Sequence, residues 1–283
     1  MEKIVIPDKG NIKKKIKKIK QDGVDKFFVL SDFDGTLTKI FYNETRRPSL
    51  ISLLRDENYL GKDYSQKAKL LYQKYHPIEI DPKIPLKTKS KKMEEWWRVH
   101  YELLKQFGFG KTHVRKIINS GKIKLREGIG RFFYTLKIKS IPLVIFSSSS
   151  LGIDTILMFL KKERKLFDNV FVVSNILQWD RSGKFVGIKN PLIHSLNKEG
   201  KILKKFPDVF KKIKHRNNVL LLGNDIGDIL VLKGLKIKNS IKVGFLNEKA
   251  EELLEDYKKH FDFLILNDGT MRGVNELLEI ILN

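Results

Sequence analysis

The sequence has no cysteine, no long apolar run and few acidic residues for its 283 positions. Without cysteine, disulfide bonds, thiolate catalysis and cysteine-ligated zinc sites are excluded. No segment approaches the ~20 apolar residues that a membrane-spanning helix needs, and the start of the chain has no long apolar stretch of the signal-peptide type. We therefore expect a soluble, cytoplasmic protein without a membrane partner, and we expect it to be a monomer.

The shortage of acidic residues leaves a large positive charge. There are 56 lysines and arginines against 33 aspartates and glutamates, which gives a formal net charge of +23. Such a charge attracts anions and could bind nucleic acid or an anionic membrane weakly. The excess is mostly lysine, without Arg-Gly repeats or interleaved aromatic residues, so we expect no specific nucleic-acid partner.

The densest basic run, residues 11–20, also carries an apolar face. Ile12, Ile16 and Ile19 recur at helical spacing, which predicts an amphipathic helix. We interpret it as a helix that packs its isoleucines on the core before the first strand. The alternative is a helix that lies on a membrane or on nucleic acid.

Short apolar runs alternate with helical patterns along most of the chain, and this alternation predicts the fold class. A length of 283 residues suits one domain with an insertion, or two domains. Alternation of this kind predicts an α/β fold with a largely parallel sheet covered by helices on both faces. The predicted strands after the first are residues 141–146, 170–173, 219–222, 241–245 and 263–266, and the predicted helices between them are 151–161, 229–235 and 248–259.

The pattern changes between the first strand and the rest of the sheet. Helices are predicted over residues 65–75 and 93–107, prolines interrupt the middle, and no convincing strand is visible. We therefore predict a core domain formed by residues 1–40 and 126–283, and a helical cap domain over residues 41–125. Residues 178–187 are predicted to form a small hairpin that extends from the core.

The most informative segment is residues 31–38, Ser-Asp-Phe-Asp-Gly-Thr-Leu-Thr, directly after an apolar strand. Side chains alternate along an extended chain, so Asp32 and Asp34 share one side while Phe33 faces the packing. Gly35 allows the chain to turn away. Two acids at the end of a buried parallel strand are typical of a functional site, and the alternative is a solvated acidic turn.

A second Asp-Gly-Thr sequence, at residues 268–270, provides an internal comparison. It also follows an apolar run, but Leu266 stands where the first copy has Asp32. Without a paired carboxylate, we interpret this copy as a strand-to-helix turn that leads into a final helix over residues 274–282.

Three further polar segments fall where predicted strands end. They are residues 147–150, residues 197–198 and residues 223–228. Together with Asp32 and Asp34 they supply a nucleophile, an acid, hydroxyl groups, a cation and oxygen ligands. This set suits phosphoryl transfer, which needs an in-line nucleophile, charge neutralisation and a protonated leaving group.

These residues resemble the haloacid dehalogenase superfamily of phosphohydrolases, which carries Asp-x-Asp-x-Thr, then Ser or Thr, then Lys, then an acidic pair. The chain is most similar to the cytosolic 5′-nucleotidase III family, also called pyrimidine 5′-nucleotidases. The resemblance implies a Rossmannoid parallel sheet with an inserted helical cap. It rests on segments 77–82, 93–96, 145–147, 193–198, 221–223 and 244–247.

The resemblance also implies catalytic roles. Asp32 would attack phosphorus and form an aspartyl-phosphate, and Asp34 would protonate the leaving nucleoside oxygen and then activate water. Ser147, with Ser148 nearby, would hydrogen-bond the phosphoryl oxygens. Lys198 would neutralise these oxygens and keep the nucleophile ionised.

Mg²⁺ is the implied cofactor, because it prefers oxygen ligands of this kind. Its implied ligands are the Asp32 carboxylate, the Asp34 carbonyl and the loop of residues 223–228, in which Asn224 and Asp228 are the candidates. Asn224 stands where the family has a metal-binding aspartate, so we expect Mg²⁺ to bind less tightly.

Two cap residues are candidates for substrate binding. The resemblance implies that Glu79 reaches the nucleoside, and His100 stands where the family can offer a serine to the substrate. Ile51 lies near the place where relatives have an aromatic residue or histidine, whereas we interpret His194 as structural. The expected substrate is a nucleoside 5′-monophosphate with a pyrimidine or a 7-methylguanine base. The alternatives are another small phosphomonoester, or an inactive hydrolase fold that binds nucleic acid.

Overall fold

The computed structural model describes residues 3–47, 49–81 and 83–283. Its centre is a seven-stranded sheet in the order β1-β11-β10-β9-β2-β5-β6, in which only β1 is antiparallel to its neighbour. The sheet strands are β1 Ile4–Val5, β2 Phe27–Ser31, β5 Leu143–Phe146, β6 Val170–Val173, β9 Asn218–Gly223, β10 Asn239–Leu246 and β11 Phe263–Leu266; two hairpins add β3 Phe41–Tyr42, β4 Thr45–Arg46, β7 Ile176–Trp179 and β8 Phe185–Lys189.

Helices cover both faces of this sheet. Along β2 the side chains alternate between two apolar clusters, with Phe27 and Val29 in one and Phe28 and Leu30 in the other, as a strand buried on both faces requires. The predicted α/β class is therefore confirmed. The helices are α1 Lys9–Asp22, α2 Leu50–Asp56, α3 Lys62–Ile80, α4 Leu86–Gln106, α5 Lys111–Asn119, α6 Ile129–Ile138, α7 Gly152–Lys162, α8 Gly200–Leu203, α9 Pro207–Ile213, α10 Ala250–His260 and α11 Arg272–Leu282.

The basic run forms α1 and packs as predicted. Ile12 and Ile19 are buried in the larger apolar cluster, and Ile16 packs against it while partly exposed. The lysines of α1 point away from this cluster or lie at its rim, and Lys15 pairs with Asp262 at 2.6 Å. In the part of the chain that the structure describes, no helix is long and apolar enough to cross a membrane.

The inserted segment differs from expectation in two ways. It contains a short β3–β4 hairpin, whereas the sequence predicts no strand there. Strands of two residues leave no periodic pattern in a sequence. Helix α3 also runs through Pro77 to Ile80, so this proline does not interrupt the segment. Thr38 and Leu125 form an antiparallel bridge that brings the two ends of the segment together. The exact domain boundaries stay a prediction.

Three other predicted elements are corrected or extended. Residues 229–235 were expected to be helical, but the structure has a 3₁₀ helix over Ile226–Leu232. The hairpin predicted over residues 178–187 is present and longer, as β7 and β8. The final helix begins two residues earlier than predicted, at Arg272.

Candidate active site

The site lies at the carboxyl edge of the three central strands. Asp32 follows β2, Ser147 follows β5 and Asn224 follows β9, and β2 pairs in parallel with both of its neighbours. Parallel strands bring their carboxyl ends to one edge, and ligands bind where neighbouring connections diverge. The topology therefore gathers these three segments, as the sequence predicts.

Lys198 links Asp32, the candidate nucleophile, to Asp228, the second acid in the loop after β9. Its Nζ lies 2.6 Å from Asp32 Oδ1 and 2.7 Å from Asp228 Oδ1. Asp228 Oδ2 accepts hydrogen bonds from the backbone N–H groups of Asn224 and Asp225, so both Asp228 oxygens are engaged. Although burial opposes its charge, the two carboxylates raise the pKa of Lys198 above its ordinary value. The Lys198 ammonium group is thereby held beside Asp32.

The two acids of the Asp-x-Asp pair differ in pKa. Burial raises the pKa of Asp32 to about 6, against the opposing attraction of Lys198. Burial, and then the neighbouring Asp32 carboxylate, raise the pKa of Asp34 to about 8. Asp34 Oδ1 also accepts a hydrogen bond from Leu50 N, at the start of α2. The surroundings therefore raise the pKa of Asp34 further than that of Asp32, which is the separation that a nucleophile and a general acid would need.

A buried arginine supports the turn after Asp34 from behind. Arg126 Nη2 donates to the Gly35 carbonyl at 2.6 Å, and Nε donates to the Thr36 carbonyl at 2.7 Å. Its guanidinium pairs with Asp268, which accepts hydrogen bonds from Ile40 N and Phe41 N. Sequence reasoning missed Arg126, because nothing in its local pattern separates it from the other basic residues.

The second Asp-Gly-Thr copy has the structure that its sequence predicts. Residues 267–270 connect β11 to α11, and Asp268 is buried against Arg126 and away from the Asp32 pair. The absence of an acid at Leu266 therefore distinguished a supporting turn from a reactive one.

The serine loop after β5 is folded tightly against the sheet edge. Ser147 is buried, and its Oγ accepts a hydrogen bond from Ser149 N at 3.1 Å. The Ser148 carbonyl accepts hydrogen bonds from Trp97 Nε1 at 3.3 Å and from Asn175 Nδ2 at 3.4 Å. The predicted roles of both hydroxyl groups stay predictions, whereas the backbone of Ser148 is a contact point for the inserted helices.

Glu79 lies in the last turn of α3 and reaches the core. Its carboxylate accepts a hydrogen bond from the Ser195 hydroxyl, and its other oxygen lies 3.0 Å from His76 Nδ1. Ser195 is three residues before Lys198 in the same loop. Glu79 is therefore placed beside the catalytic loop, as a substrate-reading residue would need to be. Pro82, the end of the segment on which the resemblance partly rested, lies outside the described residues, as does Pro48.

His100 forms part of the wall of a cavity of about 130 Å³ between α2, α3, α4 and the serine loop. Burial, and then the Arg55 charge, lower the pKa of His100 to about 4, so its ring is neutral at pH 7. Its Nε2 is buried and has no hydrogen-bond partner within the described residues. The other lining residues are Ser49, Ile51, Arg55, Ala68, Tyr72, Trp96, Trp97 and Ser150.

His194 has a structural role, as predicted. It is buried and caps the short turn before Lys198, because its Nδ1 accepts a hydrogen bond from Leu196 N at 3.2 Å. Its ring lies 6.3 Å from that of Trp97, which adds a second contact between the inserted helices and this loop.

Comparisons with known proteins agree with this geometry. The family model for pyrimidine 5′-nucleotidase (UMPH-1) matches residues 35–282. The 7-methylguanosine phosphate-specific 5′-nucleotidase A of Xenopus laevis is 35% identical over 276 residues, which cover 97% of this chain and 94% of that protein. The 7-methylguanosine phosphate-specific 5′-nucleotidase of Homo sapiens is 34% identical over 281 residues, which cover 99% and 92%.

Solved structures support the same relationship. A crystal structure of cytosolic 5′-nucleotidase IIIB bound to cytidine matches with a TM-score of 0.85 and 28% identity, covering 98% of this chain and 92% of that chain. A phospho-aspartyl intermediate analogue of phosphoserine phosphatase matches with a TM-score of 0.51 and 19% identity, covering 89% and 97%, which shows a common fold. The chain belongs to the pyrimidine 5′-nucleotidase (UMPH-1) family, has the haloacid dehalogenase fold, and is a 5′-nucleotidase and thus a phosphoric monoester hydrolase.

Proposed function

We propose that the protein hydrolyses nucleoside 5′-monophosphates through an aspartyl-phosphate on Asp32. The observation that carries the proposal is the ion pair of 2.6 Å between Lys198 Nζ and Asp32 Oδ1, next to Asp34, whose pKa burial raises further than that of Asp32. A nucleophile and an acid with separated pKa values divide the two roles that the reaction requires. We further propose that the reaction takes place in the cytoplasm.

The proposed reaction has two steps. In the first, an Asp32 carboxylate oxygen bonds to phosphorus, the bond between phosphorus and the nucleoside 5′ oxygen breaks, and the Asp34 proton goes to that oxygen. In the second, Asp34 takes a proton from water, the water oxygen attacks phosphorus, and phosphate leaves Asp32. Lys198 and Ser147 stabilise the negative charge of the phosphoryl oxygens in both steps.

The residues present fit a bound Mg²⁺. Asp32 Oδ2, the Asp34 carbonyl oxygen and the side-chain amide of Asn224 face one another at the sheet edge, and they offer the oxygen ligands that Mg²⁺ prefers. Within residues 3–47, 49–81 and 83–283, no group of three or more carboxylate, histidine or cysteine side chains forms a metal cluster. We propose Mg²⁺ as the cofactor, which when bound neutralises charge on the transferring phosphoryl group.

We propose that the nucleoside occupies the cavity beside His100, and that Glu79 contacts it from α3. The cavity combines apolar and aromatic walls with the side chains of His100 and Arg55, a composition typical of small-ligand sites. Relatives named for 7-methylguanosine phosphate and a structural neighbour bound to cytidine make both bases candidates. Pyrimidine and 7-methylguanine nucleotides therefore both belong in the substrate test.

The test is a panel of CMP, UMP, 7-methyl-GMP, AMP and sugar phosphates, each assayed with and without Mg²⁺. We expect one of the first three to have the highest kcat/KM. A sugar phosphate that is preferred over every nucleotide would contradict the proposal. Acid-quenched protein incubated with ³²P-labelled nucleotide should retain label, and Asp32→Asn should not.

Two sets of variants separate the role of Asp32 from that of the surface charge. Asp32→Asn should abolish turnover, whereas the exposed pair Lys13→Glu/Lys17→Glu should leave turnover unchanged. Unaltered turnover in Asp32→Asn would refute the mechanism.

A further inference from the structure

The end of the Asn224 side chain lies between Asp32 Oδ2, the Asp34 carbonyl and Thr36 Oγ1, and the amide satisfies this position best with its nitrogen inward. With the oxygen inward, Asn224 Oδ1 accepts a hydrogen bond from Thr36 Oγ1 at 3.0 Å. With the nitrogen inward, Nδ2 donates to Asp32 Oδ2 at 3.3 Å, to the Asp34 carbonyl at 3.0 Å and to Thr36 Oγ1 at 3.0 Å. Thr36 serves both orientations, because a hydroxyl group both donates and accepts.

The backbone of Asn224 is held in place by hydrogen bonds, so any reorientation of this residue would be confined to its side-chain amide. Its backbone N–H donates to Asp228 Oδ2 at 3.0 Å, and its carbonyl accepts a hydrogen bond from the Tyr257 hydroxyl at 2.8 Å. Gly35 packs against the amide, since a Cβ built on Gly35 would lie 3.0 Å from Asn224 Nδ2. The loop therefore presents the amide to Asp32 and Asp34 at a fixed position.

With the oxygen inward, the three oxygens have the spacing of neighbouring ligands around Mg²⁺. Asn224 Oδ1 then lies 3.3 Å from Asp32 Oδ2 and 3.0 Å from the Asp34 carbonyl. An octahedral Mg²⁺ with bonds of 2.0–2.1 Å places adjacent ligands about 3.0 Å apart. Without a cation these oxygens repel one another, and the orientation with the nitrogen inward is favoured because it supplies hydrogen atoms between them.

We propose that Asn224 is a two-position switch that stabilises the site both with and without its metal ion. In the metal-free protein the amide nitrogen faces Asp32 and Asp34 and takes the place of the cation as a hydrogen-bond donor. Mg²⁺ binding turns the amide so that its oxygen becomes a ligand. The inference rests on the proposed metal dependence of the reaction, but its test requires no substrate.

An aspartate at this position could not act in the same way. A carboxylate offers only acceptor oxygens, so the metal-free site would bring a second negative charge against Asp32 Oδ2 with no hydrogen atom between them. Compared with an aspartate, the Asn224 amide therefore binds the metal ion less tightly but makes the metal-free protein more stable. The expected consequence is a reversal of the stability order of wild type and Asn224→Asp when Mg²⁺ is added.

The first experiment measures melting temperatures in EDTA and in increasing Mg²⁺ for wild type, Asn224→Asp and Asn224→Leu. In EDTA we expect Asn224→Asp to melt about 3 °C or more below wild type. In saturating Mg²⁺ it should melt above wild type, with a half-saturating Mg²⁺ concentration at least about tenfold lower. Asn224→Leu, which can neither donate nor ligate, should be destabilised in EDTA and respond little to Mg²⁺.

Asn43→Asp is the matched control, because it adds the same charge to an exposed turn and should show neither effect. An Asn224→Asp variant that melts at or above wild type in EDTA, after correction by this control, would overturn the proposal.

A second experiment observes the amide directly. The ¹⁵N–¹H₂ signals of Asn224, assigned by their loss in Asn224→Asp, should shift when Mg²⁺ is added to the substrate-free protein. Signals that do not move while the melting temperature rises would show that the amide does not turn. No Mg²⁺ effect on wild type at any concentration would also overturn the switch, whereas failure of the nucleotide panel alone would overturn only the proposed reaction.

Discussion

Replacing Arg126 should destabilise the protein and slow the reaction, because its guanidinium holds the turn after Asp34 and pairs with Asp268. Its side chain is fully buried and pairs with Asp268, whose side chain is 9% exposed. Losing one member of a buried ion pair costs about 3–5 kcal/mol, because the other charge is left without a partner. For Arg126→Met this corresponds to a fall in melting temperature of about 5 to 8 °C, because the unfolding entropy of a 283-residue chain is about 0.6 kcal/mol/K.

The loss should also reach the chemistry, because the guanidinium holds the Gly35 and Thr36 carbonyls directly after Asp34. We expect Arg126→Met to lower kcat by about tenfold or more, measured well below its melting temperature, with little change in KM. Arg126→Lys keeps the charge but not the planar fork of donors, so both effects should be intermediate.

The control is Arg131→Met, which removes an exposed arginine from the neighbouring helix α6 and should change stability by no more than about 0.5 kcal/mol. A double-mutant cycle with Asp268→Asn should show a coupling of at least about 1 kcal/mol between Arg126 and Asp268. Equal melting temperatures for Arg126→Met and Arg131→Met, or strict additivity in the cycle, would refute this reasoning.

Three further predictions concern catalysis and recognition. The pH profile of kcat/KM should be bell-shaped, falling below about pH 6 as Asp32 becomes protonated and above about pH 8 as Asp34 loses the proton needed by the leaving group. An aryl phosphate with a good leaving group needs this proton less, so its activity should fall much less at alkaline pH. A profile that is flat from pH 5 to 9 would contradict the assignment. Glu79→Gln should reduce kcat/KM for nucleotides by about tenfold while sparing p-nitrophenyl phosphate, and equal losses on both substrates would argue against nucleoside contact. His100→Leu should raise KM for nucleotides and leave the aryl phosphate unaffected, since His100 lines the cavity and Asp32 does not. An unchanged nucleotide KM would exclude a role in binding.

The parts of the site that follow from local chain geometry could be predicted from the sequence. Alternation along β2 puts Asp32 and Asp34 on the same side, and the parallel order of β5, β2 and β9 brings Ser147 and Asn224 to the same edge. These relations need only strand periodicity and the rule that parallel strands end together. The strands were predicted best where their apolar runs were continuous, and worst where they were two residues long.

The parts that could not be predicted depend on contacts between distant segments. Glu79 meets Ser195 across 116 positions and Trp97 meets Ser148 across 51. No periodic pattern records such a contact, because each residue is ordinary in its own segment. The pKa of Asp34 could not be predicted either, because it depends on how the surrounding elements bury the carboxyl group. Sequence reasoning therefore named the candidate reactive groups but not the contacts by which the inserted helices meet the core.

The two Asp-Gly-Thr turns show that identical residues have different surroundings at different positions in the sheet. Asp34 follows the central strand β2, whose neighbours β5 and β9 contribute the serine and asparagine loops at the same edge. Asp268 follows β11, next to the two-residue edge strand β1, and it faces Arg126 instead of another acid. The same tripeptide thus has a carboxyl group of raised pKa in one turn and an ion pair in the other. Because Arg126 also binds the carbonyls behind Asp34, the supporting turn fixes the geometry of the reactive one.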